Sequence, residues 1–126
     1  MEVKIRAARP EEMEQFRHVV TTALVMTPET FGTEEELAFS SRFTTCAFED
    51  GKLATVYRSW PWKMRFNGEA IPLAGVNSIG TLPVFRRRGY LRKVTSAHFT
   101  RLHERGEQPV AALWASRAAI YQRYGY

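Results

Sequence analysis

One cysteine, Cys46, in 126 residues leaves no partner for an internal disulfide and no thiolate cluster for zinc. No apolar run approaches the roughly 20 residues of a membrane-spanning helix. The opening stretch, Met1-Glu2-Val3-Lys4-Ile5-Arg6, alternates instead of forming an apolar signal core, so a cytoplasmic protein is the default expectation. Internal repeats and low-complexity tracts are also missing. His18, His98 and His103 stand isolated, without a second ligand at suitable spacing, and no metal site is predicted. The most telling scarcity is acidic. Residues 71–126 hold only Glu104 and Glu107 against nine Lys/Arg, a balance of +7, whereas residues 1–70 carry eleven acids and nine bases, a balance of −2. A basic half points to a polyanionic ligand, either nucleic acid or a phosphorylated cofactor. Its basic residues form no long stripe interleaved with aromatics, so the small cofactor is favoured and nucleic acid is the lesser reading.

What is present reads as one globular domain with a real core, 44% hydrophobic and 25% charged. Val3, Ile5 and Ala7 alternate with Lys4 and Arg6, which predicts a half-buried strand. Pro10 suits a first helical turn, and Met13, Phe16, Val20 and Leu24 at helical spacing extend that helix over about 10–25. Thr33 with Glu36 three residues on is a capping-box pattern, opening a second helix over roughly 33–42 with Leu37 inward; a mobile acidic loop is the alternative. Two hairpins follow. Thr44–Phe48 and Leu53–Trp60 flank Asp50-Gly51, and Trp62–Phe66 and Glu69–Val76 flank Asn67-Gly68. Pro61 and Pro72 suggest edges or bulges. Trp60 and Trp62 are candidates for a substrate mouth, although cross-strand packing is the more ordinary role.

The stretch 77–105 concentrates the functional signal. A strand-like Asn77-Ser78-Ile79-Gly80-Thr81-Leu82 ends at Pro83, then Arg86-Arg87-Arg88-Gly89 leads into an amphipathic pattern running to Gly106. Strand, basic glycine turn and helix together make an anion site, because the first helical N–H groups lack internal partners and carry the positive end of the dipole. Read blandly, Arg86–Arg88 are a solvated charge run. On the helix, Leu91, Val94, His98 and Leu102 share one side, with His98 read as a packed histidine. Val110–Ala115 is apolar on both alternating faces, as in a strand covered on both sides. Ser116 is positioned to cap a short final helix carrying Ile120, Tyr121 and Tyr124. By itself, Tyr121 reads as a packed aromatic with its hydroxyl in water.

Arg86-Arg87-Arg88-Gly89-Tyr90-Leu91 resembles the Gln/Arg-x-x-Gly-x-Gly/Ala signature of the GNAT N-acetyltransferase superfamily, departing from it at Leu91. With Pro83 and Arg92, and with Val110–Ser116 followed by Ile120-Tyr121-x-Arg123-x-Gly125-Tyr126, the chain is similar to the enhanced-intracellular-survival (Eis) branch. The resemblance implies an α/β (α+β) GNAT fold, a mixed, mostly antiparallel sheet flanked by helices. It implies acetyl-CoA as cofactor and direct transfer to an amine-bearing small molecule or peptide. Carried over by position, the backbone at Ile79, Gly80 and Thr81 would run beside the pantetheine arm. Arg87, Arg88, Gly89, Tyr90, Leu91 and Arg92 would cradle the pyrophosphate, Ser116 and Arg117 would touch the cofactor, and Tyr121 would be the general acid. The superfamily continues into a terminal strand hairpin that these 126 residues do not include. Residues 1–126 are therefore expected to be an incomplete N-terminal acetyltransferase domain. The Eis branch further implies a longer, homo-oligomeric protein whose terminal carboxylate is the proton acceptor. A non-catalytic acetyl-CoA-binding module is the competing expectation.

Overall fold

The computed structural model describes residues 1–27, 31–115 and 117–126. A five-stranded sheet runs in chain order, β1 (Val3–Arg6), β2 (Cys46–Glu49), β3 (Lys52–Phe66), β4 (Glu69–Thr81) and β5 (Val110–Leu113). Neighbours are antiparallel except β4 and β5, which pair in parallel. Parallel pairing needs a crossover, and α3 (Tyr90–Arg105) supplies it. α1 (Met13–Ala23) and α2 (Glu34–Ser40) precede β2, and α4 (Ala118–Gln122) follows β5. None of the helices is long and apolar enough to cross a membrane, among the described residues.

Alternation along the central strands splits the core into two layers. Cys46, Phe48, Leu53 and Val56 join Met13, Phe16, Val19 and Val20 of α1 and Leu37 of α2. Ala47, Ala54, Tyr57 and Val76 join Phe85 and, from α3, Tyr90 and Val94 on the other face. Burying one such Phe, Val or Leu fully contributes about 1.5–3 kcal/mol, so each helix layer is held mainly by its apolar stripe.

Local signals act where they were expected. Asp50 and Gly51 (φ 49° and 81°) and Asn67 and Gly68 (φ 49° and 84°) form two-residue hairpin turns with both central residues left-handed. Thr33 and Glu36 make the reciprocal capping box, with Glu36 N–H donating to Thr33 Oγ1 at 3.2 Å and Thr33 N–H to Glu36 Oε2 at 3.3 Å. The first helix divides, a 3₁₀ turn at Pro10–Glu12 leading into α1. There Arg6 grips Glu12 through two bonds of 2.8 and 3.0 Å.

Three expectations change. The two segments expected on either side of Pro61 form one 15-residue strand. Pro61 pairs with Ala74 and Pro72 with Lys63, where each proline's strand has a single partner strand, so a missing donor costs little. Among the described residues β5 lies at the sheet edge and alternates between exposed and half-buried, where coverage on both faces was expected: Ala111 and Leu113 pack toward α3, while Val110 is 38% exposed. The N-cap of α4 is Arg117, and the expected cap, Ser116, lies outside the described residues.

Candidate functional site

β4 is irregular at one place. Arg58 pairs with Asn77 and Val56 with Gly80, so Tyr57 alone faces both Ser78 and Ile79. This is a β-bulge, which takes backbone groups out of the ladder and bends the strand. Ser78 adopts φ 53°, a left-handed conformation that serine rarely takes. The bulge falls just past the end of the β4–β5 pairing, at Val76 opposite Leu113. From there β4 continues to Thr81 with β3 as its partner and no longer with β5.

Two grooves open at this point. One, of about 400 Å³, runs along Ile79, Gly80 and Thr81 to the glycine turn and is lined by Arg86, Arg87, Gly89, Tyr90, Leu91 and Arg92. Ile120, Tyr121, Arg123 and Tyr124 close it from α4 and the turn that follows. The other, of about 260 Å³, is lined by Leu24, Val76, Asn77, Ser78, Ile79, Leu113, Trp114 and Tyr121. Ile79 and Tyr121 belong to both. A larger hollow of about 770 Å³ between α3 and β5 has neither the bulge nor the basic turn in its walls.

The turn is built from left-handed residues, Arg87 at φ 64° and Gly89 at φ 79°, with Gly89 as the N-cap of α3. A Cβ at Gly89 would meet nothing within 4 Å, so the glycine serves the backbone angle and an open approach. The side chains divide their work in a way the sequence did not reveal. Arg88 Nη1 and the Tyr90 hydroxyl both donate to Glu49 Oε1, each at 2.5 Å. Tyr90 first and Arg88 second hold the Glu49 carboxyl below its usual range. Arg88 and Tyr90 thus fasten the turn to β2 through Glu49, whereas the side chains of Arg86, Arg87 and Arg92 line the groove without that tie. Thr81 is similar, its hydroxyl paired with that of Thr55 at 2.9 Å. Gly80 admits α1, since a Cβ there would lie 2.7 Å from Ala23 Cβ.

Tyr121 is half-buried beside Tyr126, the rings edge to face at 6.4 Å. Burial, and then Tyr124, raise its hydroxyl pKa above the usual phenol value, so at neutral pH it is a proton donor. Arg117 is exposed at the start of α4 and does not line the groove. Cys46 offers no nucleophile: it is fully buried, and burial pushes its thiol up to about 11. His98 is buried against Tyr57, Nδ1 to hydroxyl 2.9 Å, as a packing residue should be. Trp60 also packs, 5.3 Å from Phe43, and the half-exposed Trp62 covers Gly75.

A bulged strand diverging from a parallel neighbour, with an arginine–glycine turn at a helix start, meets a sequence profile described as an acetyltransferase (GNAT) domain, which matches residues 4–126. The chain belongs to the GNAT acetyltransferase family. This GNAT domain is 31% identical, over its whole length, to an uncharacterized N-acetyltransferase of Streptomyces griseus, of which it spans 31%. It superposes on Eis1 from Mycobacterium abscessus with a TM-score of 0.81 at 33% identity, covering 99% of this chain and 31% of that one. A GNAT acetyltransferase from Brucella melitensis, solved in complex with acetyl-CoA, shares the fold at a TM-score of 0.74 and 20% identity, with 98% and 82% covered.

Two residues that matter to the site were missed from the sequence. Glu49 carries no signal there beyond its place before a turn. Arg58 does carry one, as the first charged residue after the apolar run Leu53-Ala54-Thr55-Val56-Tyr57.

Proposed function

We propose that this GNAT domain transfers an acetyl group from acetyl-CoA to a primary amine by direct attack. The observation that carries the reading is the meeting of the two grooves at Ile79 and Tyr121. In this reading the groove beside the basic turn takes the cofactor. The N-terminal N–H groups of α3, with Arg86, Arg87 and Arg92, hold the pyrophosphate, and the extended backbone of Ile79–Thr81 lies along the pantetheine arm. Ser116 and Arg117 complete the set that the family resemblance assigns to the cofactor. The second groove takes the acceptor, an amine-bearing small molecule or peptide.

The chemistry follows from what lies at the junction. The neutral amine attacks the thioester carbon while the carbonyl oxygen gains negative charge, which a free N–H of the bulge stabilises. As the C–S bond breaks, the Tyr121 hydroxyl gives its proton to the leaving sulfur, and the proton shed by the new amide nitrogen passes through water to the Tyr121 phenolate, which restores the hydroxyl. Because Tyr121 holds its proton at neutral pH, it is ready for that role.

The test is release of coenzyme A thiol when the protein is mixed with acetyl-CoA and a panel of amines. Tyr121→Phe should lower turnover by about 10²-fold while acetyl-CoA affinity stays unchanged. Wild-type turnover in that variant would make Tyr121 a packing residue only. Tight acetyl-CoA binding without any thiol release would reduce the domain to a binding module.

A further inference from the structure

The guanidinium of Arg58 lies directly behind the bulge, on the α1 side of the sheet. Its Nε donates to Asn77 Oδ1 at 3.1 Å, its Nη2 to Ser78 Oγ at 3.0 Å, and its Nη1 to Ser40 Oγ at the end of α2 at 3.1 Å. Phe16, Phe31 and Trp60 surround it, with ring centroids 5.5, 5.1 and 5.2 Å from the guanidinium carbon. Among the described residues no carboxylate lies within ion-pair distance of it. Among the described residues every polar partner is a neutral oxygen, and two of the three belong to consecutive residues of β4 at the irregularity. Ser40 is itself fully buried and satisfied, donating its hydroxyl to Leu37 O at 2.9 Å, so it is a fixed anchor.

A charged group in such surroundings is costly to keep unless its bonds do something that an apolar residue could not. Here they hold a serine at φ 53° and its asparagine neighbour in a single arrangement. We propose that Arg58 is the positioning residue of the bulge: its three-way fork ties Asn77 and Ser78 to α2, keeps Ser78 left-handed, and so aims the free N–H of the bulge at the acyl carbonyl. Arg58 itself does not line the junction of the two grooves and acts through β4. The inference rests on the acetyl-transfer reading above for its kinetic consequence, but not for its conformational one.

Each consequence has its own readout. Arg58→Met keeps the bulk and removes the fork, and Arg58→Lys keeps the charge and removes two of the three directions. Both should lower kcat by about 10–100-fold, somewhat less than outright loss of an oxyanion donor. KM for acetyl-CoA should stay within about 2-fold, because the pyrophosphate turn is remote from the change. Ser78→Gly, which takes a positive φ without help, should restore most of the rate in the Arg58→Met background. The three-bond HN–Hα coupling of Ser78 should move from a left-handed to an extended value in Arg58→Met. Unchanged coupling at Ser78, or a rate loss that glycine at 78 does not relieve, would overturn the assignment. If the wild-type protein transfers no acetyl group, the acetyl-transfer reading fails, and the coupling at Ser78 alone decides the role of Arg58.

Discussion

Replacing His98 with glutamine should remove the first stage of acid destabilisation of this domain. The imidazole is 4% exposed, with Nδ1 2.9 Å from the Tyr57 hydroxyl, which also lies 3.3 Å from that of Tyr126. Burial, and then Arg101 on the next helical turn, bring its pKa from 6.5 down to about 4. Between those two values the unfolded chain binds a proton that the native protein refuses, so stability rises with pH across this window. The contribution is complete above about 6.5 and is lost as pH falls through about 4. At about 1.4 kcal/mol per pH unit the ceiling is ~3 kcal/mol, and partial hydration on opening brings the expected loss to roughly 2 kcal/mol. Urea unfolding followed by tryptophan fluorescence at pH 7 and pH 4.5 reads this directly. With a slope of about 1–3 kcal/mol per molar, the midpoint should drop by roughly 1 M in the wild type. The Arg6–Glu12 pair does not confuse the result. Glu12 is held at about 2, chiefly by its bond to Arg6, so most of its loss falls below pH 4.5. His98→Gln keeps a hydrogen-bonding side chain beside Tyr57 and cannot titrate. An equal acid loss in that variant would refute the argument.

Gly89→Glu should abolish coenzyme A binding measured by calorimetry, since it places a like charge and a Cβ at a left-handed residue beside the pyrophosphate position; retained affinity in a folded variant would sink the anion site. Arg87→Ala should weaken that binding by about 1–3 kcal/mol and Arg88→Ala by less, because only the first side chain lines the groove; the reverse order would show that the side chains have been misassigned. Gly80→Ala should destabilise the fold by about 1–3 kcal/mol through contact with Ala23, and adding Ala23→Gly should recover most of that loss in urea melts.

What could be read from the sequence was whatever chemistry is local. Asp50-Gly51 and Asn67-Gly68 specify their turns within two residues, and Thr33 finds Glu36 three residues on. The glycine turn and α3 were legible for the same reason, as a strand, a stop and a helix start adjacent in the chain. The single long β3 was not, because only the β4 partner shows that Pro61 interrupts nothing. The edge position of β5 depends equally on what packs beside it. The turn's side chains were read as one basic group, yet Arg88 and Tyr90 are claimed by a carboxylate 39 and 41 residues away, which no spacing rule anticipates. Arg58 stands out as a charge following an apolar strand run, but its three partners come from α2 and β4.

The burial of Cys46 has a practical consequence at the bench. Thiol-detecting reagents attack the thiolate, and a fully covered sulfur with a pKa of about 11 gives almost none at pH 7. The native protein should therefore be silent in an assay that counts free thiols, and every early equivalent of colour should come from coenzyme A. Once the domain opens, its one sulfur becomes visible, one equivalent per chain and no more. The same cuvette thus keeps two clocks, a fast one for the reaction and a slow one for unfolding.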